Sequence, residues 1–359
     1  MFDFLNTWLT AGGWWVAVII MIIVGFVALV YGADWLVDGA SGLAKRYGVS
    51  DLVIGLTIVA FGTSMPEFVV NMVAVSQHNS EIAITNILGS NIINVFIILG
   101  ASALIYPICS TKQSRRFDIP WSLLAALLVL FFATYCSPSW LQVENLFNIH
   151  VENATISNLG HFHWGQGSHG FISGIGGCVL LFFFIIFLWH SIHNAKNGAE
   201  APAEDYKPMK LYKAILLIVA GLIELVLGGE LIVKSATSIA HSLGVSDAII
   251  GLTIVALGTS LPELATSCIA AYKKNSDIAL GNVVGSNIFN ILFILGVSAV
   301  IYPLPGYSGL ELDALMAALA SAMVMLFVCT NKKHQIKRWH GAVLILVYAG
   351  YLTYRIMTL

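Results

Sequence analysis

The chain has 359 residues, 58% of them hydrophobic and only 10% charged, with a net charge of -2 at pH 7. Soluble domains carry roughly 25% charged residues, so the composition excludes an ordinary soluble domain, and no basic block offers a surface for nucleic acid. Five cysteines, Cys109, Cys136, Cys178, Cys268 and Cys329, stand in no CxxC or Cys/His metal spacing and read as small apolar packing residues. No HExxH, GxSxG or nucleotide loop appears at membrane depth, so neither a catalytic residue nor a cofactor is expected.

In chain order, the N-terminus lacks the basic region and cleavage site of a signal peptide, so residues 14–33 read as a retained span. Ten apolar segments of about the 20 residues that cross a bilayer follow one another. They lie at 14–38, 49–76, 81–107, 119–136, 171–193, 211–236, 247–272, 277–303, 312–330 and 340–357. Two connections are long. Residues 137–170 hold no Lys or Arg, a glycosylation sequon at 153–155 and His161, His163 and His169, which read as surface residues. Residues 194–210 read as a polar linker between a first five-helix unit, 1–193, and a second, 211–359.

If successive connections alternate sides, one side collects 15 of the 17 Lys and Arg residues and the other only Lys234 and Arg355. Basic connections stay on the cytoplasmic side. The sequence therefore predicts ten spans with both termini and 137–170 outside, and 194–210 inside.

The two halves repeat. With an offset of 196, residues 29–107 align with 225–303 without a gap, and GVSDLVIGLTIVAFGTSMPE (48–67) matches GVSDAIIGLTIVALGTSLPE (244–263) at 16 of 20 positions. NILGSNIINVFIILG (86–100) likewise returns as NVVGSNIFNILFILG (282–296). Matching helices are five spans apart, an odd number, so the copies run in opposite directions. Inverted repeats with Gly/Pro-interrupted helices at matching places are the sequence pointer to a secondary transporter. The fold class expected is all-α and polytopic: ten transmembrane helices in two inverted five-helix repeats, whose matching cores span about 49–107 and 247–303.

Each copy carries two chemical motifs. In GTSxPE, Pro66 and Pro262 lack an N–H and clash with the carbonyl four residues back, Gly62 or Gly258. The break is expected to free backbone oxygens around Ala60, Thr63, Ala256 and Thr259. Thr63, Ser64, Thr259 and Ser260 add hydroxyls, and Glu67 and Glu263 add carboxylates. Hard oxygen donors with negative charge suit Ca2+ and Na+. In GSNxxN, Ser90 and Asn94 lie one helical turn apart, as do Ser286 and Asn290, while Gly89 and Gly285 allow close helix approach. Interhelical hydrogen bonding alone explains Ser and Asn. It does not explain carboxylates, each costing about 2.5–3.5 kcal/mol or more at the bilayer centre. Asp34 and Glu230 sit near span ends, Asp51 follows the capping Ser50, and Glu224 lies deeper without a matching acid at position 28.

These motifs resemble the α-repeats of the cation/calcium exchanger superfamily, in particular the prokaryotic sodium/calcium exchangers. The resemblance implies an alternating-access antiporter that exchanges Na+ for Ca2+ between the second, third, seventh and eighth helices, while the first and sixth slide across the rest. It implies Glu67, Glu263, Thr63 and Thr259 as calcium ligands. Sodium would draw on Ala60, Ser64, Glu67, Ser90, Asn94, Ala256, Thr259, Ser260, Glu263, Ser286 and Asn290. It further implies a multi-pass protein of a bacterial or archaeal cell membrane, with a monomeric transport unit in contact with lipid. Some relatives have Asp at the last position of the second motif, where this chain has Asn290, and the first motif has Asn94, so the centre here has two formal carboxylates, enough to neutralise one Ca2+ or two Na+. The Asn pair argues against the potassium-dependent branch. A cation/proton antiporter on the same fold and a cation channel are the alternatives.

Overall fold

The computed structural model describes residues 14–135, 170–195, 209–243 and 256–358. Most of the 137–170 loop, with His161, His163, His169 and the sequon, most of the 194–210 linker and the start of the 247–272 segment lie outside the described residues. Helix α1 runs Trp14–Tyr47, and α2, Asp51–Thr63, meets α3, Met65–Ser76, at a 47° bend. Then come α4, Ser80–Ile105, β1, Ile108–Cys109, α5, Ser114–Tyr135, β2, Phe171–Ile172, and α6, Gly174–His193. The second half holds α7, Leu211–Ser242, α8, Ala256–Thr259, α9, Leu261–Tyr272, and α10, Ser276–Ile301. It ends with β3, Leu304–Pro305, α11, Leu310–Thr330, β4, Gln335–Ile336, and α12, Arg338–Thr358. Among the described residues, seven helices are long and apolar enough to cross a membrane, or eight if the bent α2–α3 pair is one span.

Helix starts follow from local chemistry. Ser50 caps α2 at the Val53 N–H, and the repeat-related Asn79 and Asn275 cap α4 and α10 at Ile82 and Ile278. Helix α5 begins five residues before the apolar run at 119, because Thr111 Oγ1 accepts from the Ser114 N–H and Ser114–Asp118 forms a π turn. Helices α1 and α7 extend past their apolar runs, α1 ending on the basic pair Lys45 and Arg46.

Helices α4 and α10 are the buried centre, with 72% and 78% of their apolar windows inside the protein, against 28–33% for α1, α6 and α7. Helices α1 and α7 pair through glycines at heptad spacing. A Cβ on Gly25, Gly32 or Gly39 would stand 2.8–2.9 Å from the carbonyl of Gly228, Gly221 or Ala214 in turn. Seven-residue spacing keeps one seam of a helix facing its neighbour. Glu224 sits on this seam, its Cβ 3.0 Å from where a Cβ on Gly32 would be. Gly285 brings α10 onto α2, where an added Cβ would be 2.8 Å from the Leu56 carbonyl, whereas Gly89 has nothing within 4 Å among the described residues.

The connections meet in two groups. Strand β1 pairs antiparallel with β4, Ser50 N–H donates to the Ala195 carbonyl, Arg46 to the Met209 carbonyl and Asn275 to Asp51. These contacts place the basic connections beside one another. Strand β2 pairs with β3 elsewhere, joining the end of the long loop to the α10–α11 connection. Lys273 bridges Asp34 at 2.8 Å and Asp38 at 2.6 Å. Burial pulls its ammonium down, but the hydrogen bonds and charges of the two aspartates more than offset this and hold it above its ordinary range.

Candidate functional site

Both broken helices place a carboxylate in the first turn after the break. Pro66 and Pro262 occupy the first turns of α3 and α9, where a missing N–H costs nothing. Ser64 and Ser260 are the corner residues, with φ/ψ of -83/9° and -91/6°. Glu67 and Glu263 thereby enter a fully buried centre, each 0% exposed, as are Thr63, Ser64, Asn94, Ser260, Ser286 and Asn290, with Ser90 at 1%. The Ala60 carbonyl is not freed by the break: it keeps the Ser64 N–H at 3.0 Å and takes the Thr63 hydroxyl at 3.4 Å. Pro66 has no N–H to offer the Gly62 carbonyl, whereas the bond two residues earlier, from Ser64 to Ala60, survives.

The halves serve each other crosswise. Ser64 Oγ donates to Glu263 Oε1 at 2.9 Å, and Ser260 Oγ donates to Glu67 Oε1 at 3.2 Å. Ser90 Oγ also reaches Glu67 Oε1 at 3.2 Å and Ser260 Oγ at 3.1 Å. Asn94 Nδ2 donates to Asn287 Oδ1, and Asn290 Nδ2 to Asn91 Oδ1, both at 3.0 Å. Asn91 and Asn287 exchange side-chain-to-carbonyl bonds at 3.0 and 3.3 Å. Each of these last pairs maps onto its reciprocal under the offset of 196.

Among the described residues, five buried oxygens in this centre make no hydrogen bond: Glu67 Oε2, Glu263 Oε2, Asn94 Oδ1, Asn290 Oδ1 and Ser286 Oγ. Buried polar atoms are nearly always satisfied. A set of unsatisfied acceptor oxygens, with two carboxyl groups near enough to repel each other, fits hard cations and nothing apolar. Of the expected ligands, Ala60, Thr63, Ser64, Glu67, Ser90, Asn94, Ser260, Glu263, Ser286 and Asn290 come together, and Thr259 closes α8 beside Ser260. Ala256 opens α8, and its side chain lies outside the described residues.

Sequence reasoning missed the residues that hold the site. Asn86 Nδ2 donates to the Glu67 carbonyl at 3.1 Å and to Asn71 Oδ1 at 2.6 Å. Asn282 Nδ2 donates to the Glu263 carbonyl at 3.3 Å and to Ser267 Oγ at 2.9 Å, and its Oδ1 accepts from Thr63. The signal was present: Asn86 and Asn282 are identical partners in the ungapped repeat, and Asn71 pairs with Ser267. The π turns Asn94–Leu99 and Phe289–Leu295 carry Asn94 and Asn290 into the centre, and Gly55–Val59 packs on the start of α10. Such bulges frequent functional sites.

A protein of long apolar helices whose halves jointly enclose buried, unsatisfied oxygens fits the ion transporters, and relatives narrow the class. The chain belongs to the sodium/calcium exchanger protein family, whose pattern matches residues 17–193 and 213–357. It is 33% identical over 352 residues to the sodium/calcium exchanger MaX1 of Methanosarcina acetivorans, covering 93% of this chain and 97% of that one. To the inner membrane protein YrbG of Escherichia coli it is 32% identical over 296 residues, 79% of each. A structure of the sodium-calcium exchanger NCX_Mj soaked with Na+ and Sr2+ superposes with a TM-score of 0.74 at 30% identity, over 94% of this chain and 98% of that one.

Proposed function

We propose that the protein exchanges Na+ for Ca2+ by alternating access, both ions using the centre around Glu67 and Glu263. The observation that carries this reading is the unsatisfied carboxylate oxygen on each glutamate, contributed by opposite halves of the chain. Calcium takes Glu67, Glu263, Thr63 and Thr259. Sodium takes the serine and asparagine oxygens around the same two carboxylates, with Thr259, Ala256 and, once the Thr63 hydroxyl leaves it, the Ala60 carbonyl completing the set. The two formal charges match one Ca2+ or two Na+, so the ions compete.

Without either ion, two buried carboxylates stand uncompensated, which disfavours passage between inward- and outward-open states. Either cation removes that penalty, and exchange is obligatory. The architecture is ten spans in two inverted repeats, 1–193 and 211–359, joined by a cytoplasmic linker at 194–210. The reciprocal contacts and the grouped basic connections support this arrangement. Both termini lie outside a bacterial or archaeal cell membrane, in keeping with the organisms of the relatives, and one chain is the transport unit.

Glu67→Gln or Glu263→Gln keeps shape and removes charge. Either change is expected to reduce Na+-driven 45Ca2+ uptake in proteoliposomes to the level of empty liposomes. Uptake at the wild-type rate in either variant would remove the glutamates from the site.

A further inference from the structure

The two halves differ at one buried acid. Without gaps, α5 aligns with α11 at an offset of 195, which pairs Asp118 with Asp313. The buried positions 122, 125, 126, 129, 132 and 133 then pair with 317, 320, 321, 324, 327 and 328, all buried as well. Asp118 is 1% exposed and Asp313 5%. Asp313 is fully served: Tyr307 donates to Oδ2 at 2.6 Å, Tyr351 to Oδ1 at 2.7 Å and Arg355 to Oδ2 at 3.3 Å. Burial, with the charge of Asp313 adding to it, pushes the Tyr307 phenol well up, so it remains a donor. Among the described residues, Asp118 has no hydrogen-bond partner on either oxygen.

The reason lies in the helix that packs alongside. Gly341 of α12 meets the Gly100 carbonyl as Gly177 of α6 meets that of Gly296, which sets α6 and α12 at an offset of 164. His340 and Leu344 are then matched by Gly176 and Leu180, all buried. At this offset Tyr351 corresponds to Phe187 and Arg355 to Ser191. Where the second half supplies a phenol and a guanidinium, the first supplies a phenyl ring and a hydroxyl. Ser191 is 0% exposed, and its Oγ has no partner among the described residues. The nearby arginine Arg115 gives its Nη1 to the Ser110 carbonyl, and Arg116 is exposed. The neighbouring charge is acidic: Asp277, in the first turn of α10, acts electrostatically on Asp118.

We propose that Asp118, Asp277 and Ser191 form a second cation site, at the basic-connection end of the protein and separate from the Glu67–Glu263 centre. A divalent ion, Ca2+, takes the place that Arg355 fills in the other half. Two carboxylates match its charge, and three hard oxygen donors match its chemistry. Helix α10 begins at this site and carries Asn282, Ser286 and Asn290, so an ion there ties α5 to the helix that lines the central site.

The test is 45Ca2+ equilibrium binding to the purified full-length protein, with Mg2+ alone as a competitor arm. The Glu67→Gln/Glu263→Gln variant is expected to retain one saturable Ca2+ per chain, and adding Asp118→Asn to weaken it at least tenfold. Asp118→Asn alone is expected to keep one Ca2+, at the central site, which also shows that the variant folds. Asp277→Asn is the second variant, since its side chain is only half-buried. Failure of the central reading appears as Ca2+ binding unchanged by the two Gln substitutions. This proposal is overturned if the Gln double variant binds no Ca2+, or if what it retains is indifferent to Asp118→Asn and Asp277→Asn.

Discussion

At the scale of single residues, the centre depends on hydroxyls handed across the repeat boundary. Ser64 and Ser260 each donate to the glutamate of the other half. A hydrogen bond to a charged group contributes about 1.5–3 kcal/mol, and about 1.4 kcal/mol is tenfold in affinity. Ser64→Ala and Ser260→Ala are therefore each expected to weaken half-maximal Na+ and Ca2+ activation about tenfold or more, by similar amounts. Concentration series in proteoliposomes measure this, and an effect confined to one serine would contradict the reciprocity. The glutamates and serines were legible in the sequence, because helix packing alone does not call for a duplicated charge in an apolar run. Their crosswise pairing was not: Ser64 and Glu263 are 199 residues apart, and local periodicity carries no information about such a contact. Asn86 and Asn282 were legible in principle as duplicated amides, but resembled ordinary helix-packing residues.

At the scale of elements, the breaks at Pro66 and Pro262 were readable from the missing N–H and the adjacent Glu. The π turns beside them depend on tertiary packing and leave no composition signal. The glycine seam between α1 and α7 is written as a seven-residue spacing, yet each helix alone reads as an ordinary apolar span. Gly32→Leu drives a side chain into the Gly221 carbonyl, whereas a Cβ on Gly350 would meet nothing within 4 Å among the described residues. Gly32→Leu is expected to lower the melting temperature in detergent by several degrees and to impair transport, and Gly350→Leu to leave both near wild type. Thermal unfolding of the two purified variants decides this, and equal behaviour would remove the seam from the account. The extension of α5 back to Ser114 was hidden because Arg115, Arg116 and Asp118 look like a connection.

At the scale of the whole molecule, the proposed opposite orientation of the halves predicts opposite exposure of repeat-related positions. Ser76 and Tyr272 are equivalent under the offset of 196, and both stand at the ends of their helices, where Tyr272 is 75% exposed. In a background without the native cysteines, Ser76→Cys is expected to react with an impermeant maleimide on intact cells, and Tyr272→Cys only after permeabilisation. Labelling of both from one side would contradict the inversion. The proposed number of spans rests on the charge asymmetry, since miscounting scatters Lys and Arg over both sides. Ion coupling was less legible, because Asn94 and Asn290 leave two carboxylates that suit either sodium or protons. The central claim is tested most directly by 45Ca2+ uptake into proteoliposomes under imposed sodium, proton and potassium gradients applied one at a time. Uptake is expected under an outward sodium gradient and under neither of the others. Uptake driven by a pH gradient in the absence of sodium would contradict it.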